Sequence, residues 1–151
     1  MIDFSLTHLP IDTATLRARI ESRSSGAVVI FEGVVRDHHA GRAVASLDYE
    51  GYAPMATPVG QALLAEAAQR FELSAALGVH RLGHLEISDI AVVIIVASSH
   101  RGAAFSACAW IMDELKARVP VWKHEHFTDG TSEWNNGATI RGADAPDNEA
   151  T

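Results

Sequence analysis

Lysine occurs only twice in this chain, at Lys116 and Lys123, seven residues apart in the segment DELKARVPVWKHEH. The other ten fixed side-chain cations are all arginine. Arginine keeps its proton in proteins, whereas a lysine amine releases it readily once burial lowers its pKa. A chain that otherwise uses arginine marks these two positions as candidates for a proton-exchanging amine, a nucleophile or a point charge. Trp122-Lys123-His124-Glu125-His126 reads as a strand, with Lys123 and Glu125 on one face and Trp122, His124 and His126 on the other. Glu125 is placed to hold Lys123 charged or to accept its proton. His124 and His126 would need His38 or His39 to complete a metal site. Two ligands without a defined third or fourth do not define zinc, so no metal and no other cofactor is expected.

Three further places set polar groups against apolar ones. Arg36 ends the hydrophobic run from Phe31. Ser98-Ser99-His100-Arg101-Gly102 carries a strand into a helix start, where free N–H groups and the helix dipole favour an anion such as phosphate. Met112 and Lys116 lie four residues apart on one helical stripe, continuing from Phe105 and Ala109. The neighbouring stripe, Ala104, Cys108, Ile111 and Leu115, reads as the face that packs into the core. Lys116 thus emerges at the edge of apolar surface, and Cys108, the single cysteine, reads as a structural thiol.

These residues need a scaffold. Residues 11–23 read as a short helix with Asp12 or Thr13 as N-cap. Residues 26–37 read as a strand with a bulge or close approach at Gly33, and 38–42 as a turn. Residues 43–52 read as a second strand, paired with the first in a hairpin. A helix follows from Pro54 to about Phe71, with Val59, Leu63, Ala67 and Phe71 on one stripe. Strands are expected at 76–87, broken at a glycine, and at 89–97. A helix capped by Ser98 or Ser99 is expected from His100 to Arg118, and Pro120 ends it. A final strand covers 119–127, and Asp129-Gly130 makes a turn. Strands and helices mix without a βαβ rhythm, so the expected class is α+β, with a mixed or antiparallel sheet and about three helices. Residues 1–136 form one domain; residues 137–151 have little to bury and read as a flexible tail.

At 151 residues the chain is long enough for a real core. Its net charge of −7 argues against general nucleic-acid binding, though not against a local basic pocket. The longest apolar run, IAVVIIVA at 90–97, suits a buried strand rather than a membrane span. The absence of a basic, then apolar, N-terminal signal and the single cysteine point to the cytoplasm.

Taken together, GAVVIFEGVVRDHHAGRAVASLDYEGYAPMA (26–56), VHRLGHLEI (79–87), SSHRGAAF (98–105) and IMDELKARVPVWKHEHFTDGTSEW (111–134) resemble the large, catalytic subunit of molybdopterin synthase. The resemblance covers about Gly26 to Trp134. It implies a β-hammerhead-like subdomain within the α+β fold and a homodimer of large subunits. Each would bind one small, ubiquitin-like sulfur carrier with a Gly-Gly thiocarboxylate tail, giving a heterotetramer. The implied substrate is cyclic pyranopterin monophosphate (precursor Z), which gains two sulfurs to form the dithiolene of molybdopterin. The implied catalytic residues are Lys116 and Lys123. The implied substrate-binding residues are Phe31, Val34, Val35, Arg36, His100, Arg101, Met112, His124 and Glu125. No role falls on Arg141.

An imported thiocarboxylate would explain why the chain has no plausible catalytic thiol, and a cation cluster would offset the repulsion between thiocarboxylate and phosphate. Arg101 and Lys116 sit fifteen residues apart on one helix, which separates their Cα atoms by roughly 22 Å. If both serve one site, His100 and Arg101 must come from a second protomer. The rival readings are a non-catalytic module that binds a ubiquitin-like tail or a phosphorylated ligand, and a His-based metal hydrolase, which would carry stoichiometric zinc; no zinc is expected.

Overall fold

The apolar run at 90–97 is buried on both sides because it becomes β7 (Ile90–Ser98), an inner strand of a sheet covered on both faces. A computed structural model describes residues 1–21 and 23–136. The tail expected at 137–151, with Arg141, lies outside the described residues. The first sheet has the order β1–β5–β7–β2, from β1 (Ile2–Thr7), β5 (Ala75–Arg81), β7 and β2 (Ala27–Val34). β1 runs parallel to β5 and the other pairs are antiparallel, so the sheet is mixed, as expected. Val92, Ile94 and Val96 face the main core beneath α2 (Ala53–Arg70) and α3 (Arg101–Arg118). Val93, Ile95 and Ala97 face the opposite layer, where α1 (Thr13–Ala18) brings Leu16, with Ile11 and Ile20 from its flanks.

A second sheet is built around β4 (Arg42–Gly51). One edge of β4 pairs with β8 (Val121–Phe127), which in turn pairs with β9 (Ser132–Asn136). Its other edge carries β3 (His38–His39) and β6 (Gly83–Glu86). The α+β class and the three helices hold. Several details differ from expectation: β1 lies ahead of the first expected element, and β8 is not the final strand, because β9 follows it and pairs with it. β2 and β4 do not form a hairpin: β2 pairs with β7 and β4 with β8, so they belong to different sheets. The hairpin is β3–β4, and its turn shrinks to Ala40 and Gly41, both at positive φ, as a two-residue turn between twisted strands requires.

Local signals explain most boundaries. The Asp12 side chain caps α1 by accepting from the backbone N–H of Ala14 and Thr15. The register slips between Gly33 and Val34, where the sequence suggested a bulge. α3 starts one residue later than the serines suggest: His100 is the N-cap and makes no side-chain cap bond, while the Ser98 hydroxyl donates to the His100 carbonyl at 2.6 Å. Gly60 on α2 lies against Phe4, and a Cβ there would overlap the Phe4 ring. Among the described residues, no helix is long and apolar enough to cross a membrane.

Candidate active site

The chain crosses from the first sheet to the second at Val35–Asp37, directly after the bulge, and this crossing carries Arg36. Val35 is buried and tied to the β6–β7 turn: its N–H donates to the Asp89 carbonyl at 2.9 Å, and its carbonyl accepts from Ser88 at 2.8 Å. Arg36 is therefore presented from a held backbone. Its guanidinium Nε is buried and has no hydrogen-bond partner in the structure. An unsatisfied buried donor is costly, so this atom is a ready contact for an incoming acceptor.

The two lysines converge by a chain reversal. α3 ends at Arg118, Val119 and Pro120 turn extended, and β8 begins at Val121. The helix presents Lys116 near its last turn, one turn beyond the buried Met112. The strand alternates as expected, with Val121, Lys123, Glu125 and Phe127 facing inward. Lys123 is only 8% exposed and Glu125 only 1%. The Lys123 Nζ stands 3.5 Å from Glu125 Oε1. Burial pushes the Lys123 pKa below that of an ordinary lysine. The Glu125 carboxylate opposes this, and the positive charges of Lys116 and Arg36 add to it. Those through-space effects place Arg36, Lys116, Lys123 and Glu125 in one neighbourhood.

Two members of this cluster were not visible in the sequence. His39 is buried, and its Nδ1 donates to Glu125 Oε1 at 2.5 Å. Asn135 donates its Nδ2 to the same oxygen at 2.6 Å. In the sequence His39 reads only as a possible metal ligand, and Asn135 carries no signal of a role. Both arrive through register: β3 pairs with the start of β4, and Asn135 of β9 lies opposite Lys123. Tyr49, opposite Lys123 on β4, and Leu47, opposite Glu125, complete the inner face.

The remaining expected site residues fall elsewhere. Phe31 is partly buried against the main core, and Val34 is exposed on the edge strand β2. His124 lies on the opposite face of β8 from Lys123, with its ring stacked on Trp134 at 4.3 Å. His100 and Arg101 are exposed at the far end of α3 from Lys116. Since α3 is one unbroken helix of 18 residues, the separation anticipated along it stands.

This is a two-sheet α+β protein whose inner face holds a buried Lys123–Glu125 pair within reach of the charges of Lys116 and Arg36. Residues 6–118 match the family model described as MoaE protein, a span that includes Arg36, His100, Arg101, Met112 and Lys116. The chain is 46% identical over 120 residues to the molybdopterin synthase catalytic subunit of Pyrococcus abyssi, covering 80% of each chain. It is 39% identical over 127 residues to that of Bacillus subtilis, covering 84% of this chain and 81% of the relative. The crystal structure of molybdopterin synthase from Staphylococcus aureus superposes with a TM-score of 0.82 at 37% identity, covering 89% of this chain and 98% of that one. A Helicobacter pylori structure, titled a complex of subunits 1 and 2 of molybdopterin-converting factor, shares the fold at TM-score 0.66 and 15% identity, covering 87% of this chain and 88% of that one. The chain belongs to the MoaE protein family.

Proposed function

We propose that the cluster of Arg36, Lys116, Lys123 and Glu125 is where this chain passes sulfur from a carrier thiocarboxylate to cyclic pyranopterin monophosphate, building the dithiolene of molybdopterin. Family membership places the chain among the sulfurtransferases of molybdenum cofactor biosynthesis, as a catalytic subunit. The donor is the C-terminal thiocarboxylate of a small ubiquitin-like subunit, two of which join a dimer of this chain. The observation that carries the reading is Lys123: an amine buried beside a carboxylate, with two more cations close enough to depress its pKa. A surface charge would need no such setting. An amine poised to give and regain a proton does.

Each group has a role in this chemistry. Arg36, with its unpartnered Nε, binds an anionic oxygen of substrate or donor. Lys116 and Lys123 offset the repulsion between thiocarboxylate and phosphate, protonate the departing oxygen, and hold or transiently bond the acyl or substrate carbon. Glu125, fixed by His39 and Asn135, keeps Lys123 in place and supplies its proton partner. Met112, one turn before Lys116 on α3, supplies an apolar wall. His100 and Arg101 reach the cluster from the second protomer and grip phosphate or pterin. The docking-only alternative gives no reason to bury Lys123 against Glu125.

The direct test incubates the chain with thiocarboxylated carrier and precursor Z and looks for the dithiolene product by mass spectrometry. Mixing Lys116→Ala and Arg101→Ala protomers tests the shared site. Random reassortment into dimers with one intact composite site restores about a quarter of wild-type turnover. If the two residues serve a site within one protomer, the mixture stays inactive.

A further inference from the structure

Away from this cluster, the solvent face of the second sheet carries an assembly of ligand-type side chains to which the proposed sulfur transfer gives no role. Asp48 of β4 lies directly opposite His84 of β6 on one side and His124 of β8 on the other. His126 follows on the same face of β8, opposite Ser46. Among the described residues, one group brings three His or carboxylate ligand atoms within 4.8 Å of one another: Asp48, His124 and His126. The sequence offered His124 and His126 with His38 or His39 as the missing partner. The fold turns His39 inward to Glu125, and the third ligand is Asp48.

We propose that Asp48, His124 and His126 bind a divalent ion of the zinc class, with a fourth position open to water. Two imidazoles and a carboxylate are ordinary zinc donors, and a three-ligand set with an open position is a known arrangement. Each ligand comes from a strand in a paired sheet, so the backbone spacing is fixed before the ion arrives. The side chains are also held from behind. His84 Nδ1 donates to Asp48 Oδ1 at 3.2 Å, leaving Asp48 Oδ2 to face His126 Nε2 at 2.6 Å. His84 is itself anchored by Glu86, 2.9 Å from its Nε2. Stacking on Trp134 sets the His124 ring plane, and the His124 and His126 ring centroids are 4.4 Å apart. Such outer contacts are what orient ligands at a metal. The ion would replace the Asp48–His126 hydrogen bond, opening that pair to roughly 3.3 Å for bonds of about 2.0 Å. Rotation of the partly exposed imidazoles supplies that movement. The bound ion would pin β8 to β4 from outside.

The test is calorimetric titration of zinc chloride into the chelator-stripped full-length chain, with thermal unfolding in parallel. The expected result is one saturable ion per chain and a higher melting temperature with zinc. Asp48→Asn and His126→Ala each weaken that binding at least about tenfold, whereas His38→Ala, an exposed histidine beside Asp37, leaves it unchanged. Should Asp48→Asn fail to fold, His124→Ala carries the same test. Absence of saturable binding in the parent chain, or equal binding in the Asp48, His124 and His126 variants, overturns the assignment.

Discussion

Along β8 the inward side chains Lys123 and Glu125 are buried, while His124 and His126, one residue away in each case, remain half-exposed. Both faces mix cationic and carboxylate groups, yet they handle charge differently. Inside, Lys123 and Glu125 have lost most of their water, so neighbouring groups set their behaviour: Glu125 is held by His39 and Asn135, and Lys123 is pressed by Lys116 and Arg36. Outside, Asp48, His84 and His126 pair across strands in contact with solvent, which screens them. Burial turns an ion pair into a tuned amine. Exposure leaves a set of ligands that can exchange partners.

The contrast can be broken first at the inner amines. Lys123→Arg and Lys116→Arg keep the charge but remove the exchangeable proton, so turnover falls about a thousandfold while carrier binding persists. Steady-state kinetics beside a binding titration checks this, and undiminished turnover in both variants would remove the acid–base role. Next comes the carboxylate. Glu125→Gln strands the charge of Lys123 and costs about 3 kcal/mol in denaturant unfolding. His126→Ala on the outer face costs less than about 1 kcal/mol in the metal-free chain. Equal losses would mean that burial does not separate the faces.

A third test uses the histidines behind each face. His80 of β5 sits edge-on to the Tyr49 ring at 4.8 Å, and burial lowers its pKa from 6.5 to about 4. The unfolded chain then binds more protons than the folded one between these values. Stability attributable to neutral His80 is complete above pH 6.5 and is lost as pH falls toward 4, by about 3 kcal/mol. His84 on the outer face has the opposite sign. Its pKa is raised, chiefly by the hydrogen bond with Glu86, so its small contribution is present below the unfolded value and fades as pH rises through the folded one. His80→Asn, which keeps a donor for the Arg81 carbonyl, flattens the acid limb of unfolding. His84→Asn leaves that limb in place.

Much of this was legible from residue patterns. Alternation in VWKHEHF assigned Lys123 and Glu125 to one face and the histidines to the other because a strand repeats every two residues. The stripe through Ala104, Cys108, Ile111 and Leu115 identified the buried side of α3. What failed was partnership. β2 and β4 are adjacent in sequence and joined by a turn signal, which suggested a hairpin. The two-residue strand His38–His39 takes the hairpin place beside β4, and β2 finds β7 instead. A two-residue strand has too little periodicity to show in the sequence.

The sequence alone determined which residue types could do chemistry and which neighbours along one element share a face, since both follow from side-chain identity and local backbone repeat. It was enough to single out the two lysines and to separate Lys116 from Arg101 by a helix length. Tertiary structure decided which strands lie side by side, and so brought His39 and Asn135 to Glu125, Arg36 to the lysines and Asp48 to the outer histidines. Those contacts join residues tens of positions apart. Their geometry depends on which distant strands pair, and the pattern of one strand does not name its partner.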